Sequence, residues 1–365
     1  MNKKLKIISL ALSLSILSAC NVIPRDQQPA ETAEEGEQQV EVTEPLEQSG
    51  RTTYYRPLIT EENQYPVSQN RGTTLDLNSR INMKLFENDL IRLSQNYFSV
   101  DTHYFQEGQY ISSSVASDLI NRESSDNPIG LNPKNEDEPN YLNSIVEQNY
   151  YVEEEGSYRL AGMSIGLALN SVIESETPVE NIDTEVLVEE GTQMADKLIQ
   201  QVRENTDIPD DLPIMVGLYE QAESDDLAGG TYLRTGISES GDTVDDWENL
   251  NENRLVFPLQ GGDTTEGNNF RNFQSEVEAF FPNLNGVVGR AHYVDDLLTD
   301  LNITITTQFY GQSEIVAFTH YLDRAAVTYL PENVRIEIVV ESLNEVESIL
   351  VRETNEDEFT THVFN

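Results

Sequence analysis

The sequence predicts an α+β fold of two helix-on-sheet units, each in the order strand, helix, strand, strand, with additional N-terminal helices and a disordered acidic tether before them. Three observations carry this reading. Two long amphipathic segments, Glu185 to Asn205 and Ser313 to Leu330, repeat apolar residues at helical spacing. Each is preceded by one apolar strand-like run and followed by two more. The only stretch poor in large apolar residues and rich in Glu, Gln, Thr and Pro runs from Arg25 to about Gly50, where too little surface could be buried to offset ordering entropy.

Order is expected from about Thr52. Asp76 to Tyr97 holds an amphipathic helix with Phe86, Leu90, Leu93 and Tyr97 on one side, and Asn78 or Ser79 can cap it. Tyr104 to Asn121 reads as a short strand or turn followed by a helix over Val115 to Ile120. Ser124 to Asn140 is polar and contains Pro128, Pro133 and Pro139, which marks a loop. Tyr141 to Tyr151 reads as one more short helix.

The first unit follows. Leu160 to Leu169 is a buried strand, and Met194, Leu198, Ile199 and Val202 form the inner face of the helix after it. Leu212 to Glu220 and Tyr232 to Ile237 are the next two strands. Ser238 to Asn253 and Gly261 to Asn269, rich in Gly, Asp and Asn, read as connecting segments, with a Phe-rich helix over Phe270, Phe273, Val277 and Phe280 beyond them. In the second unit Leu301 to Tyr310 places Ile303, Ile305, Thr307 and Phe309 on one face, as a strand does. The helix from Ser313 buries Ile315, Phe318, Leu322, Ala326 and Tyr329, and Arg335 to Val340 and Ser348 to Arg352 are strands. The strand before each helix can pair in parallel with the strand after it. The two units either keep separate sheets or share one. The domain boundaries expected are 1–19, 20–51 and 52–365, the last with sub-units of about 52–240 and 241–365.

The N-terminus carries the address. Lys3, Lys4 and Lys6 form a positive region, Ile7 to Leu17 a short apolar one, and Leu17-Ser18-Ala19-Cys20 closes it. The apolar run is too short to span a bilayer, and the layout is that of a secretory signal. The chain has one cysteine, and it stands where cleavage is expected, which makes the tetrapeptide a lipobox. Lipid on the Cys20 thiol would anchor the mature chain at the extracellular face of the cytoplasmic membrane. Its processing partners would be a prolipoprotein diacylglyceryl transferase and a lipoprotein signal peptidase.

Composition excludes several functions. The chain has 22 basic and 65 acidic residues, a formal charge of -43. Loss of three lysines and no acid on cleavage deepens this to -46, leaving only Lys84, Lys134 and Lys197 as lysines. Such a surface repels nucleic acid and suits high salt, where screening shortens self-repulsion. With one cysteine, neither a disulfide nor a Cys-based zinc site can form within the chain.

Gly162-Met163-Ser164-Ile165-Gly166 matches G-x-S-x-G, so a surface serine hydrolase using Ser164 is the alternative function. A nucleophile elbow needs a helix directly after the serine, and here the apolar strand continues; glycines for close packing are the other reading. His103, His292, His320 and His362 share no metal-binding spacing. The acidic groups Asp225-Asp226, Asp242 to Glu248 and Asp295-Asp296 lack the calcium-loop pattern. No catalytic residue, metal ligand or cofactor is therefore assigned.

Several segments, in order, resemble the CamS family, lipoproteins described as sex-pheromone precursors of Gram-positive bacteria. They are YYRPLI at Tyr54, LIRLSQNYFSVD at Leu90, YFQEGQYI at Tyr104, GLNP at Gly130, YLNSIVEQNY at Tyr141, GMSIGLALNSV at Gly162, LPIMVGLYEQA at Leu212, FFPNLNGVVGRAHY at Phe280, QFYGQSEIVAFTHYL at Gln308 and ESILVRE at Glu347. The resemblance implies that the end of the signal peptide is released as an apolar pheromone peptide. The matching positions are Ser13, Leu14, Ser15, Ile16, Leu17, Ser18 and Ala19. For the mature domain it implies no enzymatic activity, only a binding or scaffold module whose ligand the sequence does not name.

Overall fold

The computed structural model describes residues 54–364 except 61–63, 76–80, 174–179, 224, 260–263, 281–285, 310 and 343–344, and all of them belong to one unit spanning 39–365. The signal segment, the expected tether and Cys20 lie outside the described residues.

Two sheets form. The first contains β1 (Arg56–Pro57), β2 (Tyr104–Glu107), β3 (Leu142–Glu154), β4 (Ser157–Leu169), β5 (Ile214–Glu220), β6 (Thr231–Ser238) and β7 (Asp245–Asn249), side by side in chain order. The second contains β8 (Glu252–Phe257), β9 (Gly286–Val294), β10 (Leu297–Thr306), β11 (Arg335–Glu341), β12 (Val346–Arg352) and β13 (Thr360–Val363), also in chain order. The helices are α1 (Met83–Ser94), α2 (Ser113–Ile120), α3 (Thr184–Asn205), α4 (Thr265–Phe280) and α5 (Gln312–Tyr329). The fold is α+β, with the two units on separate sheets.

The internal repeat is twice as long as the four elements legible in the sequence. The order β2-α2-β3-β4-α3-β5-β6-β7 recurs as β8-α4-β9-β10-α5-β11-β12-β13. The pairing recurs with it: β4 with β5 and β10 with β11 are parallel, and every other neighbouring pair within the two repeats is antiparallel. Even the hairpin turns correspond. Glu155-Gly156 joins β3 to β4 and Asp295-Asp296 joins β9 to β10, all four with positive φ, as two-residue hairpin turns require.

Burial explains the different texture of the two halves. The first sheet is covered on both faces. On one side α2 and α3 bring Leu119, Leu187, Met194, Leu198 and Val202 onto Ile165, Leu167, Ile214 and Val216. On the other, α1 brings Phe86, Leu90 and Leu93 onto Tyr150, Met215, Tyr219 and Tyr232. Strands buried on both faces read as continuous apolar runs, as β4 and β5 do. In the second sheet α4 and α5 pack Phe270, Phe273, Phe318 and Leu322 against Ile303, Ile305, Ile336 and Ile338 on one face. Its strands alternate accordingly; β11 buries every second residue.

Several boundaries and elements differ from expectation. The cap of α1 is Asn82, whose Oδ1 accepts from the Leu85 N–H at 3.3 Å; Asn78 and Ser79 lie outside the described residues. Tyr97 lies past the end of this helix and Phe309 past the end of β10. The expected helix over Tyr141 to Tyr151 is instead strand β3. Leu142, Ile145, Val146 and Tyr150 imitate helical spacing, but the tight turn to β4 pairs the segment along its length. Ser238 to Asn253 is not wholly irregular, because it contains β7 and the start of β8. Both are edge strands carrying charged and polar side chains, as edges do to avoid further pairing, so they show no apolar alternation. Strand β9, inside the GVVGRAHY segment, and strand β13 are additional to the expected elements.

Candidate functional site

Ser164 lies in the middle of β4, fully buried, opposite Gln148 of β3 and Met215 of β5. Its hydroxyl and that of Ser94 in α1 hydrogen-bond at 2.7 Å, while Ser94 also donates to the Leu90 carbonyl at 2.6 Å. Gly162 and Gly166 share its face of the strand. A Cβ at Gly162 would overlap the Phe98 ring, and one at Gly166 would crowd the Tyr232 hydroxyl and the Phe86 ring. The glycines therefore let aromatic side chains lie against the strand. No strand-to-helix turn follows the serine, because β4 continues to Leu169.

The four histidines are dispersed. His103 Nδ1 lies 3.1 Å from the Ser99 carbonyl, and its ring meets Phe98 edge-on. His320 is exposed, and His362 packs its ring on Phe364. His292 is buried and its Nε2 lies 2.9 Å from Glu252 Oε2. A carboxylate only accepts, so Nε2 carries the proton. Among the described residues no group of three or more His, Cys, Asp or Glu could hold a metal ion, and no helix is long and apolar enough to cross a membrane.

Two arrangements stand out. The first is a charged cluster between α1 and the start of the second repeat. Glu252, at the start of β8, accepts from Arg92 of α1 at 2.7 and 2.9 Å as well as from His292. Arg254 donates to Asp89 of α1 at 2.6 Å, and Arg92 Nε lies 3.5 Å from the other oxygen of Asp89. The side chain of Glu252 is 2% exposed and that of Asp89 9%, so these charges are out of water. Burial alone would raise the Glu252 carboxyl, but the bonds and charges of His292 and Arg92 outweigh it and hold it below the usual carboxylate range. Asp89 interrupts the apolar side of α1 between Phe86 and Leu90. Asp89 is not among the residues singled out from the sequence; an acid in that position is the signal by which the cluster could have been found.

The second is a polar cleft of about 390 Å³ at the C-terminal ends of the parallel strands β4 and β5, beside the first turn of α3. Its lining includes Asp183, Glu220, Gln221, Glu223 and Asp226, and no basic residue. In open sheets this is where ligands sit, outside the carboxyl ends of parallel strands. Glu220 ends β5 and accepts from the Thr184 hydroxyl at 3.3 Å. Burial pushes its carboxyl above the usual range, against the lowering effect of Thr184. Glu223 accepts from Asn181 Nδ2 at 2.8 Å. Asp226 accepts from the Ala228 N–H at 2.7 Å. Of the acidic groups visible in the sequence, only Asp225-Asp226 adjoins this cleft. Asp295-Asp296 forms the β9–β10 turn.

A family model described as CamS sex pheromone cAM373 precursor matches residues 65–358. The chain belongs to the CamS family. Among solved structures, the sex pheromone precursor of Lactobacillus salivarius subsp. salivarius is 33% identical to this chain, with a TM-score of 0.80, over 87% of this chain and 98% of its own. The C-terminal domain of the sex pheromone staph-cAM373 precursor from Staphylococcus aureus is 26% identical, with a TM-score of 0.65, over 78% of this chain and 96% of its own. No curated protein matches the chain. CamS membership agrees with the resemblance carried by the short segments from Tyr54 onward. It also makes this chain a member of a family described as pheromone precursors.

Proposed function

We propose that this CamS protein is a lipid-anchored lipoprotein of the cell surface, and that its signal peptide is the source of a pheromone peptide, Ser13 to Ala19. The observation that carries the reading is a lipobox, Leu17 to Cys20, at the head of a chain whose family is described as pheromone precursors. A diacylglyceryl transferase modifies the Cys20 thiol, and the lipoprotein signal peptidase cuts between Ala19 and Cys20. The freed signal segment ends in Ser-Leu-Ser-Ile-Leu-Ser-Ala, which is uncharged and interleaves serines with apolar residues. A single acyl chain holds a protein at a membrane only marginally, whereas several on one cysteine hold it stably. The segment 20–51 spaces the domain from the membrane.

The mature domain, 52–365, acts by binding or scaffolding and not by catalysis. Support comes from Ser164, which has no exposure and is held by Ser94, so a substrate carbonyl could not reach it. Anchoring is tested with Cys20→Ser: the variant should be released to the medium or remain unprocessed. A processed Cys20→Ser protein that stays on the membrane would contradict it.

A further inference from the structure

The cleft at the ends of β4 and β5 has a feature that an acidic surface alone does not supply. Gln221 lines it and is 1% exposed. Its Nε2 points to the Ala168 carbonyl at 3.4 Å, which fixes the amide orientation, and its Oε1 has no hydrogen-bond partner. A buried acceptor left unpaired costs free energy that a bound donor would recover. Around it stand four carboxylates and no base among the lining residues, so the missing donor is cationic. No three acids converge as metal ligands among the described residues, so the cation is one that brings its own N–H groups. The start of α3 would ordinarily favour an anion, but Asp183 at its N-cap and Glu185 in its first turn already oppose that partial charge.

We propose that this cleft binds a primary ammonium group, such as the amino terminus of a peptide or one end of a diamine, with Glu220 as its counter-ion and Gln221 Oε1 as an acceptor. The assignment rests on the reading of the mature domain as a binding module and names the ligand class. A primary ammonium offers three donors, enough for a Glu220 oxygen, Gln221 Oε1 and one further acceptor. Burial raises the Glu220 carboxyl, and an ammonium beside it would favour the charged form. Glu341 ends β11 where Glu220 ends β5, and each accepts from one threonine hydroxyl, Thr306 at 3.1 Å and Thr184 at 3.3 Å.

The test is calorimetric titration of the full-length chain in detergent with 1,4-diaminobutane and with triglycine amide. N-acetylated triglycine amide and tetramethylammonium serve as controls at matched ionic strength. One or both amines should bind saturably and the controls should not; which amine binds distinguishes the peptide from the diamine source. Glu220→Gln and Gln221→Leu should each weaken binding by about tenfold or more. Glu220→Gln removes a half-buried charge and should fold, so it keeps the test valid if Gln221→Leu does not. No saturable binding of either amine up to about 10 mM, equal binding of tetramethylammonium, or unchanged binding by Glu220→Gln would overturn the assignment. The Cys20→Ser and peptide-release experiments do not involve the cleft, so its failure leaves anchoring and the pheromone reading standing.

Discussion

Arg254 donates to Asp89 at 2.6 Å, tying the first strand of the second sheet to the helix that covers the first sheet. The two residues are 165 positions apart; Asp89 lies in α1, before the first repeat, and Arg254 in β8, which opens the second. Asp89 is nearly fully buried, and Arg254 is little more exposed. Breaking such a pair from one side leaves the other charge buried alone, which costs about 3–5 kcal/mol. Asp89→Ala should therefore lower unfolding stability by about that amount, read as a shift of the urea midpoint. A change within about 0.5 kcal/mol would mean that Arg254 finds water in the variant.

Glu252 gives the same junction a pH dependence. Its folded carboxyl is held below the usual range, so the unfolded chain binds the proton first as pH falls. The stability it contributes is present above the unfolded carboxylate range, near pH 4.5, and is lost as pH drops through the lower folded value. Glu252→Gln should flatten the acid limb of the stability-against-pH curve below about pH 5. Identical acid limbs in parent and variant would remove Glu252 from the account of acid unfolding.

Gly162 faces Phe98 with no room for a side chain. Gly162→Ala should cost about 1–3 kcal/mol through overpacking, measured by thermal melting. In the parent, a fluorophosphonate probe should leave Ser164 unlabelled under native conditions. Labelling that disappears in Ser164→Ala would revive the hydrolase reading.

Leu198 of α3 and Leu322 of α5 occupy matching places in the two repeats, both with no exposure. Leu198→Asp or Leu322→Asp buries an unpaired charge and should cost several kcal/mol, enough to unfold its repeat. Comparable melting of either variant and the parent would place that helix face in water.

The helices and the strands β4, β5, β6, β10, β11 and β12 are legible in the sequence because each has one dominant apolar pattern. β4 and β5 are continuous, being covered by α1 and α3 from opposite sides; β11 alternates, being covered from one. What was illegible is polar. β3 carries Glu147, Gln148 and Asn149 at 2% exposure or less, and Glu147 is tolerated only because it accepts backbone N–H groups from Gln109, Tyr110 and Ile111 at 2.7–3.0 Å. No local pattern announces partners nearly 40 residues away. The edge strands β7, β8 and β13 owe their place to pairing and not to burial, so they escaped too. Among the site residues, Ser164 could be weighed from its strand context alone. Glu220 and Gln221 look like an ordinary strand end until the α3 N-terminus and the Gly229-Gly230 segment close around them.

The central claim is that the chain yields both an anchored domain and a free peptide, and mass spectrometry of both products tests it most directly. The membrane fraction should contain a chain beginning at lipid-modified Cys20, and the culture supernatant a peptide with the mass of Ser-Leu-Ser-Ile-Leu-Ser-Ala, absent when Cys20→Ser blocks processing. A mature chain with an unmodified cysteine, or correct processing with no fragment of residues 13–19 in the supernatant, would contradict it.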